Sequence, residues 1–161
     1  MRMTTRGTFV AATCLFVACG VGSSSTHSVS EIHSGTPTGT IGGQSWTMTQ
    51  ANVTSDGTTL TVNLYGDPGL STCPSPASPT TGSILFSVPA KVAATELSLS
   101  LTGGSNSQTV TFVTPPANND IATDGIIDVS AVSSTSVTIG LLANGSSGDT
   151  VNGTFTSTIC Q

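Results

Sequence analysis

Short segments in which every second residue is apolar constrain the fold of this chain more than any other feature. The clearest covers residues 58–65, where Leu60, Val62 and Leu64 alternate with polar side chains, and residues 95–102 repeat the pattern. Successive side chains of a β-strand point to opposite faces of the sheet. A period of two therefore predicts strands that bury one face and expose the other.

Turn residues divide the remainder of the chain into segments of the same kind. Ser55-Asp56-Gly57 predicts a hairpin turn, and in residues 95–102 we expect Leu97, Leu99 and Leu101 to point inward. We expect about eight strands and no substantial helix, which predicts an all-β fold, a single antiparallel β-sandwich of the jelly-roll-like or Ig-like kind. The expected strands lie near residues 44–53, 58–65, 83–88, 95–102, 109–114, 126–132, 137–142 and 151–159, with polar loops at 66–82 and 118–125.

The distribution of charge excludes several classes of function. From residue 19 onward Lys91 is the single base against 8 acidic residues, so that this part carries a net charge of −7. Binding to nucleic acid needs clustered Lys or Arg to neutralise phosphates. We therefore expect no nucleic-acid partner. The abundance of Thr and Val suits half-buried β-strands.

The N-terminal segment has the features of an export signal. Arg2 and Arg6 precede a run from Phe9 to Ala18 that is apolar except for Thr13. A ten-residue helix is about 15 Å long, roughly half the thickness of the hydrocarbon core, so this run is too short to span a bilayer. No other stretch approaches 18 apolar residues, and we expect no transmembrane helix.

The sequence Leu15-Phe16-Val17-Ala18-Cys19-Gly20 resembles the lipobox of bacterial lipoproteins, although Phe16 departs from the aliphatic residue preferred there. The resemblance implies cleavage after Ala18 and a lipid on Cys19 that anchors the protein to a membrane of the cell envelope. Gly20, by resemblance to Gram-negative lipoproteins, implies the outer membrane. The alternative is an ordinary secretory signal and a secreted protein, because Ala18 and Gly20 are also small enough for an ordinary signal peptidase.

These features predict three regions. Residues 1–18 are the expected signal peptide, residues 19–40 a flexible tether rich in Ser, Thr and Gly, and residues 41–161 the β-sandwich domain. The tether has too few apolar residues to order itself. We expect His27 and His33, which lie in it, to be solvated.

The cysteines predict one disulfide. Cys14 would be lost with the signal peptide, and Cys19 would carry the lipid. Cys73 and Cys160 then remain in the folded domain, and an exported domain with two cysteines most simply pairs them.

Two small groups of residues are weak candidates for ligand binding. Asp120, Asp124 and Asp128 suggest calcium, but Ala122 and Ala131 occupy two positions at which an EF-hand loop needs ligands. The other reading is a solvated turn, and we expect neither a metal nor a cofactor.

The second group consists of two aromatic residues that could stack on a sugar. We expect Trp46 to belong to the core, because Met48 shares its face. Tyr65 is expected on the face opposite Leu60 and Leu64, where it would form an exposed platform.

The remaining residues do not form a recognisable catalytic motif. A serine nucleophile needs a base, and both histidines lie in the expected tether. The predicted function is therefore that of a membrane-anchored bacterial lipoprotein whose non-catalytic β-sandwich is a structural or binding module of the envelope. Its body resembles small exported β-sandwich lipoprotein domains, and its partner beyond the membrane would be a glycan or a protein. The alternative is a secreted, carboxylate-dependent glycan-active enzyme that uses acids such as Asp67 and Glu96.

Overall fold

The computed structural model describes residues 26–69, 73, 79–99, 107–116 and 118–160. It confirms the all-β class: eleven strands form one mixed, curled sheet, and the described residues contain no α-helix. A short 3₁₀ helix, Val29–Glu31, precedes the strands. The strands are β1 (Thr38–Ile41), β2 (Gln44–Thr47), β3 (Gln50–Ser55), β4 (Thr59–Tyr65), β5 (Ser83–Pro89), β6 (Ala93–Glu96), β7 (Val110–Thr114), β8 (Asn118–Ala122), β9 (Asp124–Val132), β10 (Ser136–Asn144) and β11 (Thr150–Cys160).

The sheet has more strands than the expected eight for three local reasons. β1 lies within the expected tether, and β8 lies within the expected loop at 118–125. The strand expected at 44–53 is divided into β2 and β3, which pair with different neighbours. Period-two patterning misses such strands because they are short or expose most of their side chains.

The strand order is β6-β9-β10-β11-β3-β4-β5-β7-β8, and β1 pairs with both β11 and β2. All pairs are antiparallel except one: β11 runs parallel to β3, with Ile159 opposite Val53 and Cys160 opposite Thr54. The prediction of a purely antiparallel arrangement is therefore wrong. Alternation reports which face of a strand is buried, and it carries no information about the direction of a partner that is distant in sequence.

Both ends of the sheet contribute to one hydrophobic core. Leu60, Val62 and Leu64 are fully buried, as their alternation predicts. Leu97 is also buried, but Leu99 is 50% exposed, so its predicted inward orientation is wrong. The reason is that β6 ends at Glu96. Beyond it the amide of Leu97 donates to the carbonyl of Gly125, and Ser98 forms an isolated bridge to Gln108. Leu101 and the turn expected at 103–106 lie outside the described residues.

Two tight hairpins have the turn residues that their backbones require. The Gly42-Gly43 pair, with φ of 59° and 74°, joins β1 to β2 as a two-residue turn that side chains rarely tolerate. The predicted turn at 55–57 joins β3 to β4. There Asp56 Oδ1 accepts hydrogen bonds from the amides of Thr58 and Thr59.

Residues 26–37, which we call the strap, are packed against the sheet. The amide of Thr154 donates to the carbonyl of Gly35 at 2.7 Å, and the amide of His33 donates to Oδ1 of Asn152 at 2.7 Å. The prediction of a flexible tether is therefore wrong for residues 26–40, because backbone hydrogen bonds and not apolar side chains hold most of this segment. Residues 1–25, including the expected signal peptide and Cys19, lie outside the described residues.

The predicted disulfide between Cys73 and Cys160 is present, with the two Cα atoms 5.5 Å apart. It joins the end of β11 to the 66–82 loop across a sequence separation of 87 residues. The chain-entropy model gives about 4–5 kcal/mol for a loop of that size. Within the described ranges no helix is both long and apolar enough to cross a bilayer.

Asp67 closes the base of the same loop. Its carboxylate accepts four hydrogen bonds, from the amides and the hydroxyls of Thr80 and Thr81, at 2.5–3.0 Å. Burial by itself raises the pKa of the Asp67 carboxyl, but the hydrogen bonds from Thr80 and Thr81 outweigh it and hold the pKa below its ordinary value. The loop is thus tied at its base by a carboxylate and at Cys73 by a covalent bond.

The packing of the strap on β11 predicts a cost for a side chain at Gly153. A Cβ atom there would lie 2.4 Å from the Cα atom of Pro37, whereas a Cβ atom at Gly148 would meet nothing within 4 Å. Gly153→Ala should therefore lower the free energy of unfolding by about 1–3 kcal/mol more than Gly148→Ala, as measured by urea titration. Equal costs would contradict the packing of the strap at this position.

The hydrogen bonds to Asp67 predict a dependence of stability on pH. A carboxyl group whose pKa is lower in the folded state stabilises the fold above its unfolded pKa of about 3.9, and this contribution is lost as pH falls through the folded value. Asp67→Asn should remove that contribution, so the variant should be about 1–3 kcal/mol less stable at pH 7 and lose less stability between pH 4 and 2. Urea titrations of both proteins across this range measure the effect, and an equal loss of stability between pH 4 and 2 would contradict the prediction.

Candidate functional site

The two aromatic candidates for sugar stacking are both buried. Trp46 is 5% exposed, as expected of a core residue, and its Nε1 donates a hydrogen bond to the carbonyl of Gly82 at 2.7 Å. Tyr65 is 6% exposed, so its prediction as an exposed platform is wrong. Burial raises the pKa of the Tyr65 hydroxyl. Leu64 and Tyr65 are buried in succession, which shows that both faces of β4 are covered at this end.

The three residues considered for calcium are engaged in three different places. Asp120 accepts hydrogen bonds in the turn between β10 and β11, and Asp124 contacts His27 and Asn144. Asp128 lines a groove beneath the strap. The described residues contain no group of three His, Cys, Asp or Glu side chains that could hold a metal ion.

A cleft formed at the connections between strands brings together polar groups from three segments that are distant in sequence. Its volume is about 530 Å³, larger than four other surface cavities of about 180–400 Å³. The turn between β1 and β2, the β7–β8 hairpin and the turn between β10 and β11 form its walls. We call it the polar cleft, and it is lined by Gly42, Gly43, Thr114, Asn118, Asn119, Asp120, Ser147 and Asp149.

The two carboxyl groups of the polar cleft are held in fixed orientations. Asp149 Oδ1 accepts a hydrogen bond from the amide of Gly42 at 2.8 Å. The two carboxyl oxygens of Asp120 accept hydrogen bonds from the hydroxyl of Ser146 at 3.0 Å and the amide of Ser147 at 2.9 Å. Both aspartates are buried, so their oxygens have little freedom to rearrange. Such pre-organisation lowers the entropic cost of binding a ligand.

A second pocket of about 280 Å³ adjoins the polar cleft, since Gly42 and Thr114 line both. Ile41, Trp46 and Pro115 make this neighbouring pocket more apolar. The two cavities together combine fixed hydrogen-bond acceptors and carboxamides with an apolar wall. Ligand sites in proteins commonly have this composition.

The residues of the polar cleft limit the ligands that it could bind. No Lys, Arg or His lines it within the part of the chain that the structure describes, and Lys91 lies in the turn between β5 and β6. Its two carboxyl groups would repel an anion. Hydroxyl groups of a ligand could donate hydrogen bonds to them, and a cation would be attracted by their charge. The carboxamides of Asn118 and Asn119 are exposed and add both donors and acceptors.

Sequence reasoning considered Asp120, with Asn118 and Asn119 as additional oxygen donors, for calcium and gave no role to the other residues of the polar cleft. Gly42-Gly43 and Asp149 are turn-forming residues in the sequence, and this was the only signal that they gave. About 75 residues separate Gly42-Gly43 from Asn118-Asn119. Only the tertiary fold brings them to one place.

Most acidic residues serve to hold the chain's own structure. Six of the eight accept hydrogen bonds from described residues, and their partners are backbone amides, hydroxyls, a carboxamide and one imidazole. These six are Glu31, Asp56, Asp67, Asp120, Asp124 and Asp149.

No family model, curated protein or solved structure matches this chain.

Proposed function

We propose that this protein is a lipoprotein of the bacterial cell envelope, anchored through a lipid on Cys19, whose non-catalytic β domain binds a ligand in the polar cleft. The lipobox resemblance of residues 15–20 supports the anchor, and Gly20 supports the outer membrane as its place. We also propose that the curled sheet forms the two layers of a β-sandwich. One layer would contain β6, β9, β10 and β11, and the other β3, β4, β5, β7 and β8. One core contains side chains from both groups of strands.

The proposed anchor would hold the domain near the membrane surface. Six residues lie between Cys19 and Thr26, the first described residue. The seven Cα–Cα steps of a fully extended chain between the two reach about 25 Å. A ligand of the polar cleft would accordingly be another component of the envelope close to the membrane.

The convergence of polar groups in the polar cleft is the observation that carries the binding proposal. Three segments that are far apart in sequence place their hydrogen-bonding groups around one cavity. A hydroxyl-rich, uncharged ligand such as a glycan fits this lining, because its hydroxyls can donate to Asp120 and Asp149 and pair with the carboxamides. The adjoining apolar pocket offers a surface for the carbon face of a sugar ring.

The contacts of the carboxyl groups and of the histidines support a non-catalytic role. The carboxyl groups of Asp120 and Asp149 already accept hydrogen bonds from turn residues. Neither histidine lines the polar cleft; His27 lies on the strap and contacts Glu31 and Asp124. The cavity therefore has no histidine that could act as the general base for a serine nucleophile.

Replacement of Cys19 tests the anchor. Stable membrane attachment needs two or more acyl chains, which a modified N-terminal cysteine supplies. In cell fractionation, Cys19→Ser should move the protein from the membrane to the soluble fraction. Cys14→Ser, which changes a residue of the expected signal peptide, is the matched control and should stay with the membrane. Wild-type protein in the soluble fraction, with its N-terminus at Val21, would show that the anchor proposal is wrong.

Replacement of the exposed carboxamides tests the polar cleft. Asn118→Ala combined with Asn119→Ala should weaken binding to immobilised neutral oligosaccharides at least tenfold, because hydrogen bonds to the ligand are lost while the backbone pairing of β8 remains. Asn63→Ala, in a separate cavity, is the control and should bind like the wild type. Binding that is absent in the wild type, or equal in all three proteins, would contradict glycan recognition by the cleft.

A further inference from the structure

The first turn of the strap is joined to the sheet by His27 and by a hydrogen bond from Nδ2 of Asn152 on β11 to the carbonyl of Glu31 at 3.0 Å. Nδ1 of His27 lies 2.9 Å from Oε2 of Glu31, within the strap, and Nε2 lies 3.0 Å from Oδ1 of Asp124 on β9. The His27 side chain is only 14% exposed. Both ring nitrogens therefore face carboxyl oxygens at hydrogen-bonding distance.

This geometry requires a particular protonation state. A carboxylate only accepts hydrogen bonds, and a neutral imidazole has a single N–H group. A neutral His27 could donate to either Glu31 or Asp124, and its other nitrogen would then direct a lone pair at the remaining carboxylate. Only the imidazolium ion, with two N–H groups, satisfies both contacts while the carboxyl groups are ionised.

Both carboxylates are held in position by further bonds. Oε1 of Glu31 accepts a hydrogen bond from the amide of Ser28, and Oδ2 of Asp124 accepts one from Nδ2 of Asn144 on β10. The two acceptors thus cannot easily turn away when His27 loses a proton. The contact responds to the charge of the ring, since its partners are fixed.

The other charged groups near the strap do not replace His27. Asp128 of β9 lines the same groove as Val29 of the strap. Glu96 of β6 is paired in register with Ile126 of β9. Both side chains are acidic, so neither could provide the positive charge that His27 supplies. β10 and β11 contain no titratable side chain except the disulfide-bonded Cys160, and His33 lies farther along the strap.

The electrostatic effect on the ring agrees with this geometry. The hydrogen bonds that His27 donates to Glu31 and then to Asp124 raise the pKa of His27 above its ordinary value, and His27 in turn lowers the pKa of Glu31. A group whose pKa is raised by folding stabilises the folded contact fully below its unfolded pKa of about 6.5, and this contribution is lost as pH rises through the folded value. Attachment of the strap is therefore favoured by mild acid.

We propose that His27 is a proton-controlled latch that fixes residues 26–31 to β9. The latch is closed when the imidazole is doubly protonated and Glu31 and Asp124 are ionised. It opens with rising pH, because one carboxylate then faces a nitrogen without a proton. The hydrogen bonds of the Glu31 carbonyl, His33 and Gly35 to β11 do not involve the ring, so the strap from Glu31 onward stays in place.

Resting on the proposed anchor at Cys19, the latch would set the distance of the domain from the membrane. With the latch closed, six residues lie between Cys19 and Thr26. With it open, the first residue still bonded to the sheet is Glu31, and eleven residues lie between it and Cys19. The maximum reach then increases from about 25 Å to about 40 Å.

Amide hydrogen exchange of the full-length protein carrying Cys19→Ser tests the latch without any contribution from a lipid. Exchange rates at pH 5.5 and pH 8 are corrected for the intrinsic effect of pH. The amides of Glu31 and Ile32, which donate within the 3₁₀ helix, should lose protection about tenfold between the two values. Amides of β11 should remain protected throughout, which shows that the domain is folded.

Two histidine variants separate the latch from other effects. His27→Gln should leave Glu31 and Ile32 weakly protected at both pH values, because a carboxamide cannot donate to both carboxylates. His33→Gln is the matched control and should keep the response of the parent protein. Equal protection of the parent at pH 5.5 and 8, or an unchanged response in His27→Gln, would overturn the latch. Either result leaves the fractionation of Cys19→Ser unaffected, so the two proposals fail independently.

Discussion

The pairing of β11 with β3 is the constraint on which the rest of the structure depends. β11 lies against β10 over nine residue pairs and against β1 over three, and then its last residues run parallel to β3. Among the described residues, Ile159 and Cys160 make that parallel contact, so two described residue pairs join the halves of the sheet. The disulfide from Cys160 to Cys73 lies at the same point and provides a covalent tie where hydrogen bonding is thinnest. Burial of Ile159 in the common core stabilises the junction further.

The chain stabilises its turns with carboxylates in place of pairs of opposite charge. Lys91 is the only Lys or Arg after residue 18, so salt bridges between such residues and carboxylates can contribute little to stability. Asp56, Asp67 and Asp120 instead accept hydrogen bonds from amides and hydroxyls. For the buried Asp67 and Asp120, hydrogen bonds to a charged group contribute about 1.5–3 kcal/mol, more than a typical exposed ion pair. Among the described residues, both ion pairs are made by His27.

Residues 26–47 connect the two proposals made above. The strap carries the His27 contact to β9, and the chain then forms β1 and the Gly42-Gly43 turn. That turn lines the polar cleft, and the amide of Gly42 orients Asp149. A segment with little apolar patterning thus contributes to both the latch and the cleft. Its order comes from partners on β9, β10 and β11 that lie about a hundred residues away in sequence.

The sequence alone determined the all-β class, the main core strands and the disulfide. Leu60, Val62 and Leu64 are buried as predicted, since alternation of side chains is a local property of any strand. Cys73 and Cys160 could be paired because the lipobox resemblance implies that Cys14 is lost with the signal peptide and that Cys19 carries the lipid.

Only the tertiary structure decided the parallel junction at β11, the ordering of the strap, the burial of Tyr65 and the assembly of the polar cleft. Each of these depends on contacts between residues that are far apart in sequence. The patterns of hydrophobicity and turn residues describe one segment at a time. They say which face of a strand is buried, but not which distant backbone or side chain will satisfy its polar groups.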